Sequence, residues 1–186
     1  MKISNDKFKI DDKSILNYYE IKSNKPKLLL LHAQGTNSLS FMSVINKLSK
    51  YFHIYLVDYY GHGKSSFNRE KYNLIDIGND IIKFIEEVIK DNVSVLGHSS
   101  GGLIASYIAS NCELCSGLIL EDPPFFASVG DRRFNTYNYV DLSTACHNFI
   151  SQDEIKDFVY YYFINQYCWN FFPDDSREMI RTKLGE

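Results

Sequence analysis

The chain has 186 residues, of which 45% are hydrophobic, and this predicts one globular domain or one domain with a small appendage. A formal net charge of -3 and a pI near 6.0 argue against a basic surface of the kind that binds nucleic acids or anionic membranes. No segment is apolar for long enough to span a bilayer, and the first residues alternate charged with apolar side chains, unlike a signal peptide. We therefore expect a cytoplasmic protein with neither a nucleic-acid nor a membrane partner.

The cysteines give no sign of a metal site. All four are expected to be free thiols, because the sequence shows no secretory signal. The C-x-x-C pair of Cys112 and Cys115 is too little for a tetrahedral zinc site, and no second pair has suitable spacing. We expect neither a metal ion nor an organic cofactor.

The first elements in chain order predict a hairpin and then buried strands. Residues 7–22 suit an antiparallel hairpin at a sheet edge. Residues 28–31 are apolar on both faces, as in a buried parallel strand, and 52–58 form the next strand. The intervening segment, 40–51, is predicted to be a helix that packs by one face, because its apolar residues recur at helical spacing: Phe41, Val44, Ile45 and Leu48.

Helices and strands continue to alternate up to Pro124. A helix is predicted to begin at Asn73, which suits a capping position, and strands at 93–96 and 118–120 flank a helix at 103–110. This spacing predicts a mostly parallel sheet in an α/β fold, with helices on both faces. Beyond Pro124 the pattern is helical and no strand is predicted.

The stretch around Ser99 is the best candidate for a catalytic element. A short apolar strand runs into the pentapeptide Gly97-His98-Ser99-Ser100-Gly101, and helix-forming sequence follows at once. A serine on so tight a turn has a strained backbone, and the residues two before and two after it must be small. The turn would expose the Ser99 hydroxyl at the start of a helix, where N–H groups favour negative charge. This position suits a nucleophile.

Together with two further stretches, this pentapeptide resembles the α/β-hydrolase family. Residues 29–35, with the sequence Leu-Leu-Leu-His-Ala-Gln-Gly, are similar to the family's strand and His-Gly loop. Residues 58–65 are similar to its D-x-x-G-x-G-x-S turn, whose role there is structural. The resemblance implies that Ser99 is the nucleophile and that the backbone N–H groups of Gln34 and Ser100 form an oxyanion hole.

The resemblance also implies how the chain is organised. Residues 1–124 would form the amino-terminal six strands of an α/β-hydrolase core, and residues 125–186 would form an incomplete helical cap region. The last strands of the family's fold are missing from the sequence. We therefore expect the amino-terminal part of a longer hydrolase.

Single residues exclude two nucleotide-binding motifs. A dinucleotide fingerprint would require glycine where Ser99 or Ser66 stands. A phosphate-binding loop that ends at residues 63–65 would require glycine in place of Asp58.

The sequence leaves the general base and the acid open. In this family both follow the nucleophile, and His147 is the one histidine that does so. His147 is a candidate base, or an ordinary histidine on a helix surface. Asp122 is a candidate acid, or part of a turn that ends a strand. The other four histidines precede or adjoin Ser99 and are poor candidates: His32, His53, His62 and His98.

The sequence thus predicts a serine hydrolase that acts on an ester, amide or related acyl bond of a small, partly apolar substrate. Two alternatives stay open: a non-catalytic small-molecule-binding protein of the same fold, and a hydrolase completed by another polypeptide. Without the family's last strands, the strand ending at Leu120 would be an exposed apolar edge. That edge predicts self-association.

Overall fold

The structure is a computed structural model that describes residues 2–125 together with Asp174, Arg177 and Glu178. The chain divides into two compact units, Met1–Pro124 and Phe125–Glu186. In the second unit the last three described residues are helical, and the Arg177 guanidinium contacts the Asp174 carboxylate. The predicted helical cap over 125–186 otherwise lies outside the described residues.

A six-stranded sheet forms the centre of the first unit. Its spatial order is β1-β2-β4-β3-β5-β6. β1 and β2 form the predicted antiparallel hairpin, β2 also pairs antiparallel with β4, and the remaining pairs are parallel. The predicted mostly parallel sheet is therefore confirmed. In chain order its strands are β1 (Ser4–Lys9), β2 (Ile15–Ile21), β3 (Lys27–Leu31), β4 (His53–Asp58), β5 (Val93–His98) and β6 (Cys115–Glu121).

Three α-helices connect these strands within residues 2–125. They are α1 (Met42–Leu48), α2 (Leu74–Phe84) and α3 (Ser100–Asn111). The Asn73 side chain accepts a hydrogen bond from the third N–H of α2, as the predicted cap requires. Short 3-10 turns at Ser38–Phe41 and Arg69–Lys71 precede α1 and α2, and a π turn at Ile85–Ile89 extends α2.

The predicted apolar face of the first helix is wrong at one position. Val44 is 42% exposed, whereas Phe41 and Ile45 are buried. The segment begins with a 3-10 turn, which has three residues per turn instead of 3.6, and α1 starts only at Met42. This change of period leaves Val44 directed away from the core.

Two hydrophobic clusters cover the two faces of the sheet. Alternate residues of β3 enter different clusters: Leu29 and Leu31 pack with residues of α2 and α3, while Leu28 and Leu30 pack with Ile45 of α1. All four leucines are at most 1% exposed. Helices therefore cover both faces, and β3 is the buried parallel strand that its sequence predicted.

β6 is the last strand of the described sheet. Three consecutive apolar residues on it, Leu118, Ile119 and Leu120, are 40%, 45% and 37% exposed. Self-association through this strand stays a prediction. Within the described ranges, no helix combines the length and the hydrophobicity needed to cross a bilayer.

Candidate active site

Ser99 lies at the junction between β5 and α3. Its backbone has φ 51° and ψ -120°, a conformation that residues other than glycine rarely adopt. Such strain costs about 1 to 3 kcal/mol and persists only where the surroundings hold it. Here the Ser99 N–H donates to the Glu121 carbonyl at 2.8 Å, and the Ser99 carbonyl accepts from Gly102 N–H at 2.8 Å.

The glycines on either side of Ser99 are required by close backbone contacts. A Cβ on Gly97 would lie 2.2 Å from the Gly101 carbonyl oxygen. A Cβ on Gly101 would lie 2.4 Å from the carbonyl oxygen of Leu31, at the end of β3. This confirms the predicted need for small residues at both positions. It also brings the start of α3 against the strand that leads into the His-Ala-Gln-Gly loop.

The two predicted oxyanion donors lie together, but the N–H group of Gln34 already has a hydrogen-bond acceptor. Ser100 is the first residue of α3, and its N–H has no hydrogen-bond partner within the described residues. The N–H of Gln34 instead donates to the hydroxyl oxygen of Ser100, at 2.7 Å. The sequence pattern points to the backbone of Ser100 and does not predict this side-chain contact.

Tyr59 links the Ser100 hydroxyl to the loop after β3. Its hydroxyl donates a short hydrogen bond to the carbonyl of His32 and lies 3.3 Å from Ser100 Oγ. Its ring stacks on the His32 ring, with 3.9 Å between centroids and 11° between planes. Burial raises the Tyr59 pKa to about 12, so the hydroxyl stays protonated at neutral pH. No sequence motif marks this tyrosine as a site residue.

His32, a poor candidate for the base from its place before the nucleophile, lies in the core beside Tyr59. It is fully buried, and burial lowers its pKa to about 4. Nδ1 lies 2.8 Å from the Ala33 carbonyl oxygen, which makes it a donor, whereas Nε2 has no partner within the described residues. The neutral ring packs against Tyr59 and makes no hydrogen bond with Ser99.

The turn over residues 58–65 holds the loop after β3 from the other side. The Asp58 carboxylate accepts the N–H of Ser38 at 2.8 Å and that of Lys64 at 3.1 Å. The Nε2 of His62 accepts the N–H of Gly35 at 3.1 Å. The predicted structural role of this turn is therefore confirmed, and it includes a direct contact with the residue after Gln34.

A cavity of about 470 Å³ opens beside this loop. Its size falls within the usual range for sites that bind small molecules. The described residues that line it include no Asp, Glu, Lys or Arg, so they suit an uncharged and partly apolar group. Gln34 and Ser100 belong to this lining together with Tyr59, Tyr60, Gly61, His62, Phe67, Tyr72, Leu74, Ile77, Leu103 and Ile104.

The structure places one of the two candidate triad partners. Asp122 is exposed just beyond β6, with φ 48°, and directly follows the residue whose carbonyl accepts the Ser99 N–H. His147 lies outside the described residues. Within the described part of the chain, the Ser99 hydroxyl has no hydrogen-bond partner. The histidines described elsewhere make other contacts or none: His53, for example, pairs with Glu20 at 2.8 Å.

Comparisons with known proteins agree with the observed fold. A family model described as the alpha/beta hydrolase fold matches residues 26–145. A putative esterase/lipase of Haemophilus influenzae is 32% identical over 124 residues, which cover 64% of this chain and 43% of that protein. The pimeloyl-[acyl-carrier protein] methyl ester esterase of Photorhabdus laumondii is 34% identical over 109 residues, which cover 56% of this chain and 39% of that protein.

A solved structure also aligns with the chain. The N-formylmaleamic acid deformylase of a Pseudomonas putida strain has a TM-score of 0.57 and 27% identity, and the match covers 66% of this chain and 47% of that one. The chain thus spans less than half the length of each of these three proteins. The family model, however, matches well over half of the chain and includes both β3 and the Ser99 turn. The chain belongs to the α/β-hydrolase family and has esterase-like relatives.

Proposed function

We propose that the chain provides the nucleophile and oxyanion hole of a serine hydrolase, with Ser99 attacking the carbonyl of an ester, amide or related acyl bond. The observation that carries this proposal is the strained turn at Ser99 between β5 and α3. Strain of this kind in a non-glycine residue is typical of functional sites. The turn places Ser99 at the amino end of α3, where negative charge is favoured.

The oxyanion would form beside the N–H groups of Ser100 and Gln34. Each such donor is worth about 2.7 to 4 kcal/mol of transition-state stabilisation when it points at the developing charge. The Ser100 N–H is unpaired within the described residues and lies at the start of α3. This pair of donors supports acyl chemistry over simple ligand binding.

A complete serine hydrolase also needs a base to take the serine proton and an acid to orient that base. We propose Asp122 as the acid, because β6 and the Ser99 turn are joined by a backbone hydrogen bond one residue before it. His147 is the base proposed from the sequence.

The base and acid could instead come from a second polypeptide. In that case the second polypeptide would be required for turnover but not for the fold of residues 2–125.

The substrate proposed is small and partly apolar. The cavity beside Gln34 and Ser100 has room for a group of drug-fragment size and is lined by aromatic and aliphatic side chains in the described part of the chain. Two of the relatives carry the name esterase, which supports an ester as the first substrate to test.

The alternative is a binding protein that keeps the cavity without the chemistry. It draws on one observation, that the Ser99 hydroxyl has no base within hydrogen-bonding distance among the described residues. Both proposals predict that small apolar esters bind. They differ in whether Ser99 forms a covalent bond.

Labelling with a fluorophosphonate separates the two. The purified protein is treated with the probe, and the modified peptide is identified by mass spectrometry. We expect labelling at Ser99 that is lost in Ser99→Ala and kept in Ser106→Ala. Ser106 lies on the same helix, and its hydroxyl donates to the Gly102 carbonyl. Equal labelling of wild type and Ser99→Ala would support the binding protein and contradict the hydrolase.

A further inference from the structure

The Ser100 hydroxyl occupies a specific position that the proposed function does not explain. Its Oγ accepts the N–H of Gln34 at 2.7 Å, which is a short and therefore well-formed bond for this pair of groups. It lies 3.3 Å from the hydroxyl of Tyr59. The same N–H of Gln34 is one of the two donors proposed for the oxyanion. The Ser100 side chain thus already accepts the Gln34 N–H that the substrate oxygen would need.

The hydrogens of this network have a definite direction. Tyr59 has a single hydroxyl proton, and the His32 carbonyl, which can only accept, takes it. The contact between Ser100 and Tyr59 must therefore be donated by Ser100. Gln34 donates to Ser100, Ser100 donates to Tyr59, and Tyr59 donates to His32. Since each donor points to the next residue, the Ser100 side chain is fixed with its lone pair toward Gln34.

We propose that the Ser100 hydroxyl closes the oxyanion hole in the free protein and must release the Gln34 N–H before an oxyanion can bind there. This inference rests on the proposed function. One N–H cannot make two well-aligned hydrogen bonds at once, so the Ser100 oxygen and the substrate oxygen compete for it. Rotation of Ser100 about its Cα–Cβ bond to another staggered position frees the donor without movement of the backbone.

The competition makes Ser100→Ala a gain-of-rate variant. Alanine keeps the backbone N–H of residue 100 but removes the hydroxyl oxygen that accepts the Gln34 N–H. The chemical step no longer has to break that bond, whose net strength in proteins corresponds to about a two- to tenfold change in rate. We therefore expect the second-order rate constant for fluorophosphonate labelling of Ser99 to rise by about two- to tenfold.

Ser106→Ala is the matched control. It removes a hydroxyl from the same helix, one whose hydrogen bond goes to the Gly102 carbonyl and not to the loop of Gln34. Its labelling rate should equal that of the wild type. Ser100→Thr keeps a hydroxyl oxygen at position 100 and should restore the slower wild-type rate.

The backbone amide of Gln34 gives a readout that does not depend on reaction. In Ser100→Ala its proton resonance should move upfield and its exchange with solvent should accelerate, because the hydrogen bond from Gln34 to Ser100 is gone. Neither change should occur in Ser106→Ala. A Gln34 amide that is the same in wild type and Ser100→Ala would overturn the inference.

The two proposals fail in different ways. If Ser99 is not labelled in the wild type, the proposed function fails. If Ser99 is labelled and Ser100→Ala reacts at the wild-type rate or more slowly, the proposed function stands and the closed oxyanion hole is wrong. A slower variant would mean that the Ser100 hydroxyl aids the reaction instead of competing with it.

Discussion

The imidazole of His62 accepts the backbone N–H of Gly35 at 3.1 Å, and its other nitrogen donates to the Tyr60 carbonyl at 2.9 Å. These two bonds fix one neutral tautomer, with the proton on Nδ1. They join the turn over residues 58–65 to the loop that carries Gln34. The turn over residues 58–65, whose predicted role is structural, therefore also positions the loop of a proposed oxyanion donor.

Replacing His62 should loosen that loop. In His62→Ala the Gly35 N–H loses its acceptor, and the net value of one such bond is about 1 kcal/mol. We expect fluorophosphonate labelling of Ser99 to slow by about fivefold, with faster solvent exchange of the Gly35 amide. His62→Gln is the control, because its side-chain oxygen can take the place of Nε2. The link would be refuted if both variants labelled at the wild-type rate.

The turn around Ser99 should not accept an added methyl group at Gly97. A Cβ there would lie 2.2 Å from a backbone oxygen and 2.4 Å from a backbone carbon of Gly101, and neither atom can move without displacing α3. We expect Gly97→Ala to lower the free energy of unfolding in urea by about 3 kcal/mol. It should also abolish labelling of Ser99.

Gly35→Ala is the matched comparison for Gly97→Ala. It also adds one methyl group, but nothing lies within 4 Å of it, so its cost should come only from the positive φ of 77° and amount to about 1 kcal/mol. Equal losses of stability in the two variants would contradict the steric explanation.

Much of this arrangement could be predicted from the sequence because its signals are local. The spacing of Gly97, Ser99 and Gly101 requires a tight turn, and the apolar run at 28–31 requires a buried strand. The contact between Gln34 and Ser100 joins residues 66 positions apart, and it depends on which way the turn directs a side chain. No periodic pattern encodes that direction. The exposure of Val44 was missed for a related reason, since a 3-10 turn changes the period without a clear change in composition.

The buried carboxylate of Asp58 should be needed for the fold of the same loops. It is 1% exposed and accepts hydrogen bonds from the Ser38 N–H, the Lys64 N–H and the Asn17 amide. Asp58→Ala would leave these donors unpaired, and we expect the free energy of unfolding in urea to fall by about 3 kcal/mol. Asp58→Asn keeps one acceptor oxygen and should lose about half as much. Equal stability of Asp58→Ala and wild type would contradict this role.

The buried His32 should make stability depend on pH in a defined window. Burial lowers its pKa from 6.5 to about 4 in the folded protein, whereas the unfolded chain keeps the ordinary value. Above pH 6.5 neither state binds the proton, and the contribution of His32 is fully present. As the pH falls from 6.5 toward 4, the unfolded state takes up a proton that the folded state does not, so the free energy of unfolding decreases by about 1.4 kcal/mol per pH unit.

Urea unfolding of wild type and His32→Gln between pH 7.5 and pH 4.5 isolates this group, because carboxylates titrate alike in both proteins. His32→Gln should be less stable at pH 7.5, since it disturbs the ring stacked on Tyr59. Its stability should nevertheless fall less steeply below pH 6.5, and the two profiles should converge toward the acid end. Parallel profiles over the whole range would mean that His32 does not stay neutral in the folded protein.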